Sequence, residues 1–207
     1  MVVQKTLDSI VIVARNFNPS IIQEQWLLDK RVFSAGEISG NRLFSDQVVQ
    51  FATEKVNFLM IPNQLQFTAK DKEIVEPRDY FAGLENLILS LKETPYVAIG
   101  INFQWRISDV DVKKFSHDEF YRDDIKILKS LNDNTAKLGT YISVNFDVMR
   151  LKLHVLPVEI NQEDMVQFDF NFHCNLNNDN RADEIIQVLK KHGNFLQYAK
   201  KQMAFYE

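Results

Sequence analysis

The sequence predicts an α+β protein with two similar halves, residues 1–93 and 94–207, in which mostly antiparallel meander sheets are covered by helices. Two stretches, 48–67 and 141–174, alternate apolar with polar residues, which is the pattern of strands with one buried face. Other stretches space apolar residues three and four apart, as helices do. Both patterns recur in one order: strand, helix, three strands, helix. Because no linker separates the halves, we expect a single compact unit, with the halves either packed together or sharing one sheet.

The first half contains six expected elements. The apolar segment 10–15 predicts a strand, and the Asn-Pro pair that precedes 19–30 predicts a short helix, because Asn caps a helix and Pro suits its first turn. Two glycines indicate a loop over 34–41. The first meander, 48–67, is followed by a helix that begins at Asp79 and ends at a Thr-Pro pair, since the residue before a proline disfavours helical geometry.

The second half repeats the order. A long alternation predicts a strand over 96–107. Ser116, with a glutamate three residues later, has the form of a capping box and predicts a helix over 116–131. The second meander, 141–174, follows, and one long amphipathic helix is predicted over 181–205.

Composition excludes several classes of protein. The 24 basic and 28 acidic residues give a net charge of -4, so the chain as a whole has no electrostatic attraction for nucleic acid or anionic lipid. Cys174 is the only cysteine, which excludes an intramolecular disulfide and a cysteine-rich zinc module. The longest apolar run near the start, 10–14, is too short for a signal peptide or a membrane span. A cytoplasmic protein is therefore expected.

Common cofactor and catalytic motifs are missing. The six glycines lie too far apart to build a phosphate-binding loop of the Walker or dinucleotide type. The sequence also contains no His-Glu-x-x-His, no Gly-x-Ser-x-Gly and no EF-hand loop. We therefore predict no cofactor and no resident metal.

The outward face of the second meander carries the sharpest chemical candidates. His154, Asp169 and His173 alternate with inward apolar positions, of which Ile142 and Val144 are two. Imidazole and carboxylate groups on neighbouring strands can hold a divalent metal or act as general acid and base. The competing interpretation is that they form the solvated side of a half-buried sheet.

Four other residues are candidates for binding. Trp26 and Trp105 are candidate anchors of a protein interface, because tryptophan is enriched where binding energy concentrates. The alternative is that both are core residues. Lys190 and Lys191 belong to a set on the last helix that includes Lys200 and Lys201 and that could track phosphates. The same lysines also fit a solvated helix face whose charge complements the helix dipole.

His192 and Cys174 are expected to be structural. His192 lies on the apolar stripe of the last helix and is predicted to be a packed, hydrogen-bonded imidazole. Cys174 follows His173 on a strand, so the two side chains point to opposite faces and cannot form a thiol–imidazole pair. Cys174 is therefore predicted to be a small core residue.

Three short motifs of the second half carry a family resemblance. They are Ile99-Gly100-Ile101-Asn102-Phe103 in one strand, Phe168-Asp169-Phe170 in another, and His192 followed by Phe195 in the last helix. In this layout the C-terminal half resembles a sporadically distributed bacterial protein family of unknown function. The resemblance implies a bacterial cytoplasmic origin and supplies no site.

The predicted function is that of a non-enzymatic protein-binding or assembly module whose partners include a second copy of the chain. The grounds are 16 phenylalanines, two meanders with open edges, and the missing catalytic motifs. Open sheet edges recruit strands. The alternative is a metal-dependent hydrolase that uses His154, Asp169 and His173. A third possibility is nucleic-acid binding through the C-terminal helix; no membrane partner is expected.

Overall fold

The computed structural model describes residues 1–70, 78–120, 137–177 and 181–207, with backbone alone at 78–80. The strands in these residues are β1 (Val2–Ala14), β2 (Ser39–Phe44), β3 (Val49–Ala52), β4 (Val56–Ile61), β5 (Gln64–Ala69), β6 (Tyr96–Ser108), β7 (Thr140–Phe146), β8 (Met149–Ile160) and β9 (Glu163–Asn175). They form one sheet in the order β2-β3-β4-β5-β1-β6-β9-β8-β7, and every neighbouring pair is antiparallel. The predicted α+β class with antiparallel meanders is confirmed.

The helices, like the strands, are numbered in chain order. A short 3-10 helix (Pro19–Ile21) is followed by α1 (Glu24–Asp29), α2 (Arg78–Ser90), α3 (Val112–Phe120), α4 (Arg181–Leu189) and α5 (His192–Met203). No helix in the described ranges is both long enough and apolar enough to cross a membrane.

The two halves meet at the middle of the sheet. β1 and β6 pair along nearly their whole length, from Val2 opposite Ser108 to Ala14 opposite Tyr96. Of the two arrangements left open by the sequence, the continuous sheet is the one observed. The register shifts between Lys5 and Leu7, so Thr6 is an extra residue in β1 at that point.

The described helices pack on one face of the sheet. On this face, Phe115 of α3 contacts Phe168, and Phe195 of α5 contacts Phe172, with ring centroids 6.3 and 5.0 Å apart. The opposite face carries amide side chains that bond to one another, among them Asn171, whose amide donates to Asn102. The alternation predicted for the strands therefore reflects one helix-covered face and one polar face.

Several predicted boundaries are wrong. The predicted helix 19–30 is a 3-10 helix, Pro19–Ile21, followed by α1, and Asn18 forms no side-chain cap. The expected loop 34–41 contains the start of β2, an irregular strand in which Gly40 adopts a φ of +71°. The last helix is broken at Lys190 and Lys191 into α4 and α5. This break places His192 in the first turn of α5, where its ring faces the middle of the sheet.

The predicted helix start at Ser116 is also wrong. α3 begins at Val112, and the carboxylate of Asp111 accepts a hydrogen bond from the backbone N–H of Lys114 at 3.0 Å. Ser116 is buried within the helix, its hydroxyl 2.7 Å from the Val112 carbonyl oxygen and 2.9 Å from that of Leu138. Asp and Ser are similarly good helix caps, so residue preference does not distinguish Asp111 from Ser116. The structure buries Ser116 inside the helix and leaves Asp111 as the cap. The rest of the predicted helix, 121–131, lies outside the described residues.

Gly83 allows α2 to approach the chain that precedes β2. A Cβ atom at Gly83 would lie 2.1 Å from the carbonyl oxygen of Val32, a distance that no side chain tolerates. The amide of Asn86, one turn later, donates to the Arg31 carbonyl at 2.9 Å and holds the same approach. Gly193 in α5 differs from Gly83, because a Cβ atom at Gly193 would have no atom within 4 Å.

We predict opposite effects of alanine at these two glycines. Gly83→Ala should lower the free energy of unfolding by about 1–3 kcal/mol, because α2 must move away from Val32. Gly193→Ala should raise it by a few tenths up to about 1 kcal/mol through better helix propensity. Urea unfolding followed by circular dichroism measures both. A Gly83→Ala protein as stable as wild type would contradict the packing described.

Candidate functional site

β7 forms one edge of the sheet and is unusually open to pairing. Its seven residues pair with β8 in an unbroken register, from Thr140 opposite Val155 to Phe146 opposite Met149. The strand contains no charged residue, no proline and no glycine. In the described part of the chain no strand pairs with its outer side. Edges of this kind present a row of unpaired N–H and C=O groups.

Apolar side chains accompany this open edge. Ile142 and Val144 are 45% and 39% exposed, and Tyr141 is also exposed. The sequence places Ile142 and Val144 on the helix-covered face, and their positions opposite Leu153 and Leu151 agree with that orientation. They are exposed because the covering helices pack over the middle of the sheet, whereas β7 is its outermost strand.

The opposite edge, β2, lacks these properties. Its register with β3 shifts between Ser39 and Leu43, and Gly40 kinks the strand. Arg42 carries a charge on this edge and forms an ion pair with Glu24 of α1. Irregularity and charge are the devices by which proteins protect sheet edges, so β2 is protected and β7 is not.

The structure brings together two of the three predicted metal or hydrolase residues. His154 of β8 lies directly opposite Asp169 of β9 on the polar face. His173 lies opposite Arg150, four residues further along β9, which corresponds to about 13 Å along a strand. His173 instead contacts the Asn175 side-chain oxygen through Nε2 at 3.0 Å.

The carboxylate of Asp169 is already hydrogen-bonded. It accepts a hydrogen bond from the Gln104 amide at 2.8 Å and another from the Gln167 amide at 3.1 Å, while the His154 ring packs against Tyr141. Among the described residues no three His, Cys, Asp or Glu side chains converge as metal ligands would. The arrangement of Asp169 and His154 matches a hydrogen-bonded polar sheet surface.

Cys174 lies beside an open cleft of about 830 Å³ between the β7–β8 turn and α4. Burial raises the pKa of the Cys174 thiol, and the negative charge of Glu184 raises it further. A thiol with a raised pKa holds less thiolate at neutral pH and is a poorer nucleophile. Cys174 is half-buried and packs against the core, so this cleft contains no activated nucleophile at that position.

The predicted binding residues are scattered. Trp105 is 5% exposed and packs against Phe170, with ring centroids 5.4 Å apart, whereas Trp26 is half-buried at the core's margin. Lys190 is exposed at the break between α4 and α5. The Lys191 ammonium is 2.6 Å from an Asp147 carboxylate oxygen. The break and this ion pair separate the lysines that the sequence places on one helix.

A buried polar network connects the first strand to the last helix. The Asp8 carboxylate lies 3.0 Å from His192 Nε2 and 3.3 Å from Lys5 Nζ, and all three side chains are buried. Because the carboxylate can only accept, Nε2 of His192 carries the proton of this hydrogen bond. The imidazole lies edge-on to the rings of Phe81 and Phe103. The prediction that His192 is a packed, hydrogen-bonded imidazole is confirmed.

One atom of this network is unsatisfied. Nδ1 of His192 is buried and has no hydrogen-bond partner in the structure as described. Lys5 and Asp8 were not found from the sequence, because they precede the apolar run that marks β1 and their partner lies 184 residues away from Asp8. No local sequence pattern predicts a contact between residues so far apart.

We predict that breaking this network destabilises the chain more than removing it. Asp8→Leu should cost about 3–5 kcal/mol, because the Lys5 ammonium is left buried without a counter-charge. Lys5→Met with Asp8→Leu should recover part of this loss. The exposed pair Lys137–Asp164 provides the control, and Asp164→Ala should cost less than about 1 kcal/mol. Urea unfolding measures all three; equal losses for Asp8→Leu and Asp164→Ala would contradict the prediction.

Comparison with known proteins identifies no family for the chain. No model of a known protein family matches the chain, and no curated protein matches it. The candidate site is therefore defined by geometry alone: an open, uncharged edge strand with exposed apolar side chains beside it.

Proposed function

We propose that the chain is a non-enzymatic assembly module in which two copies pair through β7 and form one continuous sheet. The observation that carries this proposal is the open edge itself: seven uncharged residues in unbroken register, with no covering strand in the described part of the chain. Strand addition to such an edge gives affinity through main-chain hydrogen bonds. A second copy of the chain presents the same open strand, so its β7 can pair with this one.

β7 is complementary to itself. Two copies of a strand related by a two-fold axis pair antiparallel, and an axis at Ser143 sets Ile142 opposite Val144 of the second copy on the helix-covered side. On the polar side the same register sets Tyr141 opposite Asn145. Because the strand carries no charge, no like charges meet in this register. Burial of Ile142 and Val144 in both copies would remove apolar surface from water.

The proposed similarity of the two halves supports the same edge. In each half, the first strand lies beside the last strand of the meander: β1 beside β5, and β6 beside β9. In the first half the outer meander strand, β3, is covered by β2. The corresponding strand of the second half is β7, which has no such cover within the described residues. A second copy paired with β7 would cover that strand as β2 covers β3.

We predict that the chain sediments with twice its monomer mass of 24.2 kDa. Ile142→Lys should weaken self-association at least about tenfold, because lysine on an edge strand opposes pairing and is costly to bury. Leu43→Lys is the matched control, since Leu43 lies on the β2 edge and is 51% exposed. Sedimentation velocity over a range of concentrations measures both variants, and unchanged circular dichroism verifies their fold.

Two results would contradict the proposal. One is a wild-type chain that remains monomeric at about 100 μM, well above the dissociation constants typical of specific interfaces. The other is equal weakening by Ile142→Lys and Leu43→Lys, which would assign self-association to general surface hydrophobicity.

A further inference from the structure

A second cavity lies far from β7, where the end of α5 meets the first residues of β1. Its volume is about 470 Å³, and its lining includes Lys5, Trp105, Lys200, Lys201, Met203 and Glu207. Trp105 is opposite Lys5 in the β1–β6 pairing, so both side chains point to the helix-covered face. The cavity is thus bounded by the sheet on one side and by the last turn of α5 on the other.

Lys5 is a buried ammonium with spare donors. Its residue is 7% exposed, and its one hydrogen bond in the described structure is the 3.3 Å contact with Asp8. An ammonium group donates three hydrogen bonds, and a buried charge is costly unless its hydrogen bonds are made. Two donors of Lys5 Nζ are thus not taken up by Asp8, and Lys5 lines the cavity.

The surrounding charge favours an anion. Lys200 and Lys201 are exposed and form no ion pair in the part of the chain described. Among the side chains that line the cavity, three carry an ammonium group and one, that of Glu207, carries a carboxylate. The helix dipole explains two lysines at the end of α5. The third, Lys5, is paired with Asp8 at 3.3 Å, so the groups at and beside the cavity carry three positive and two negative charges.

We propose that this cavity binds the phosphate group of a small phosphate monoester. The Lys5 ammonium would donate to the phosphate oxygens, Lys200 and Lys201 would balance the remaining charge, and Met203 would contact the organic part. The volume lies within the range of small-molecule sites. A nucleic acid would need several phosphate contacts along an open track, whereas these ammonium groups converge on one cavity.

Isothermal titration calorimetry with phenyl phosphate and with inorganic phosphate tests the proposal. Both should bind, and phenyl phosphate should bind more tightly because its ring adds apolar contact. Lys5→Met should weaken binding at least about tenfold, which is the effect of losing a charge-assisted hydrogen bond. Lys200→Met with Lys201→Met changes only exposed residues, so it should fold normally and weaken binding severalfold. Lys190→Met, an exposed lysine outside the cavity, is the control and should have no effect.

Three outcomes would overturn the proposal. The first is no binding of either phosphate compound at millimolar concentration. The second is an equal effect of Lys190→Met and of the Lys200 and Lys201 double substitution, which would indicate general charge screening. The third is tighter binding of an oligothymidylate than of phenyl phosphate, which would assign the lysines to nucleic acid.

Discussion

The described helices pack on only one face of a nine-stranded sheet, and most features of the described chain follow from that constraint. Each central strand must be apolar on the helix side and polar on the other, which explains the alternation around Phe168 and Phe172. The polar face satisfies its amides and Asp169 by mutual hydrogen bonds. The helices extend over the middle of the sheet, so the outermost strand, β7, retains exposed apolar side chains on the covered side.

The Lys5–Asp8–His192 network lies in a mostly apolar interior, whose other buried polar residues in the described chain, Ser9, Thr53 and Ser116, are uncharged. Taking an ion pair out of water is expensive, and apolar residues of similar volume commonly pack at lower free-energy cost. Lys5 also lines the cavity between the end of α5 and the start of β1, where the proposed phosphate group would accept hydrogen bonds from its ammonium. Nδ1 of His192 adds a buried acceptor without a protein partner among the described residues, which is a further cost to stability.

Local periodicity predicted the strands well and the long-range contacts poorly. The alternation in 48–67 and 141–174 located β3 to β5 and β7 to β9, because the side-chain period of a strand is a local property. The pairing of β1 with β6, the Asp8–His192 contact and the exposure of β7 depend on distant parts of the chain. The irregular β2 was missed because its glycine and register shift remove the period on which strand prediction relies.

The site residues illustrate the same limit. The alternation placed His154, Asp169 and His173 on the polar face, as the structure does. Asp169 and His173 lie four residues apart on one extended strand, so the two side chains are too far apart to act together. Trp105 and the lysines of the last helix were interpreted separately, and only the fold places Lys5 beside Trp105, Lys200 and Lys201.

Amide hydrogen exchange in β7, followed residue by residue by nuclear magnetic resonance, reports whether two copies of the chain pair through this strand. Alternate amides of β7 bond to β8, and the others point outward. If two copies pair through this strand, the outward amides will exchange slowly in concentrated protein and rapidly after dilution. Outward amides that exchange as rapidly as those of β2 at every concentration would contradict pairing through β7.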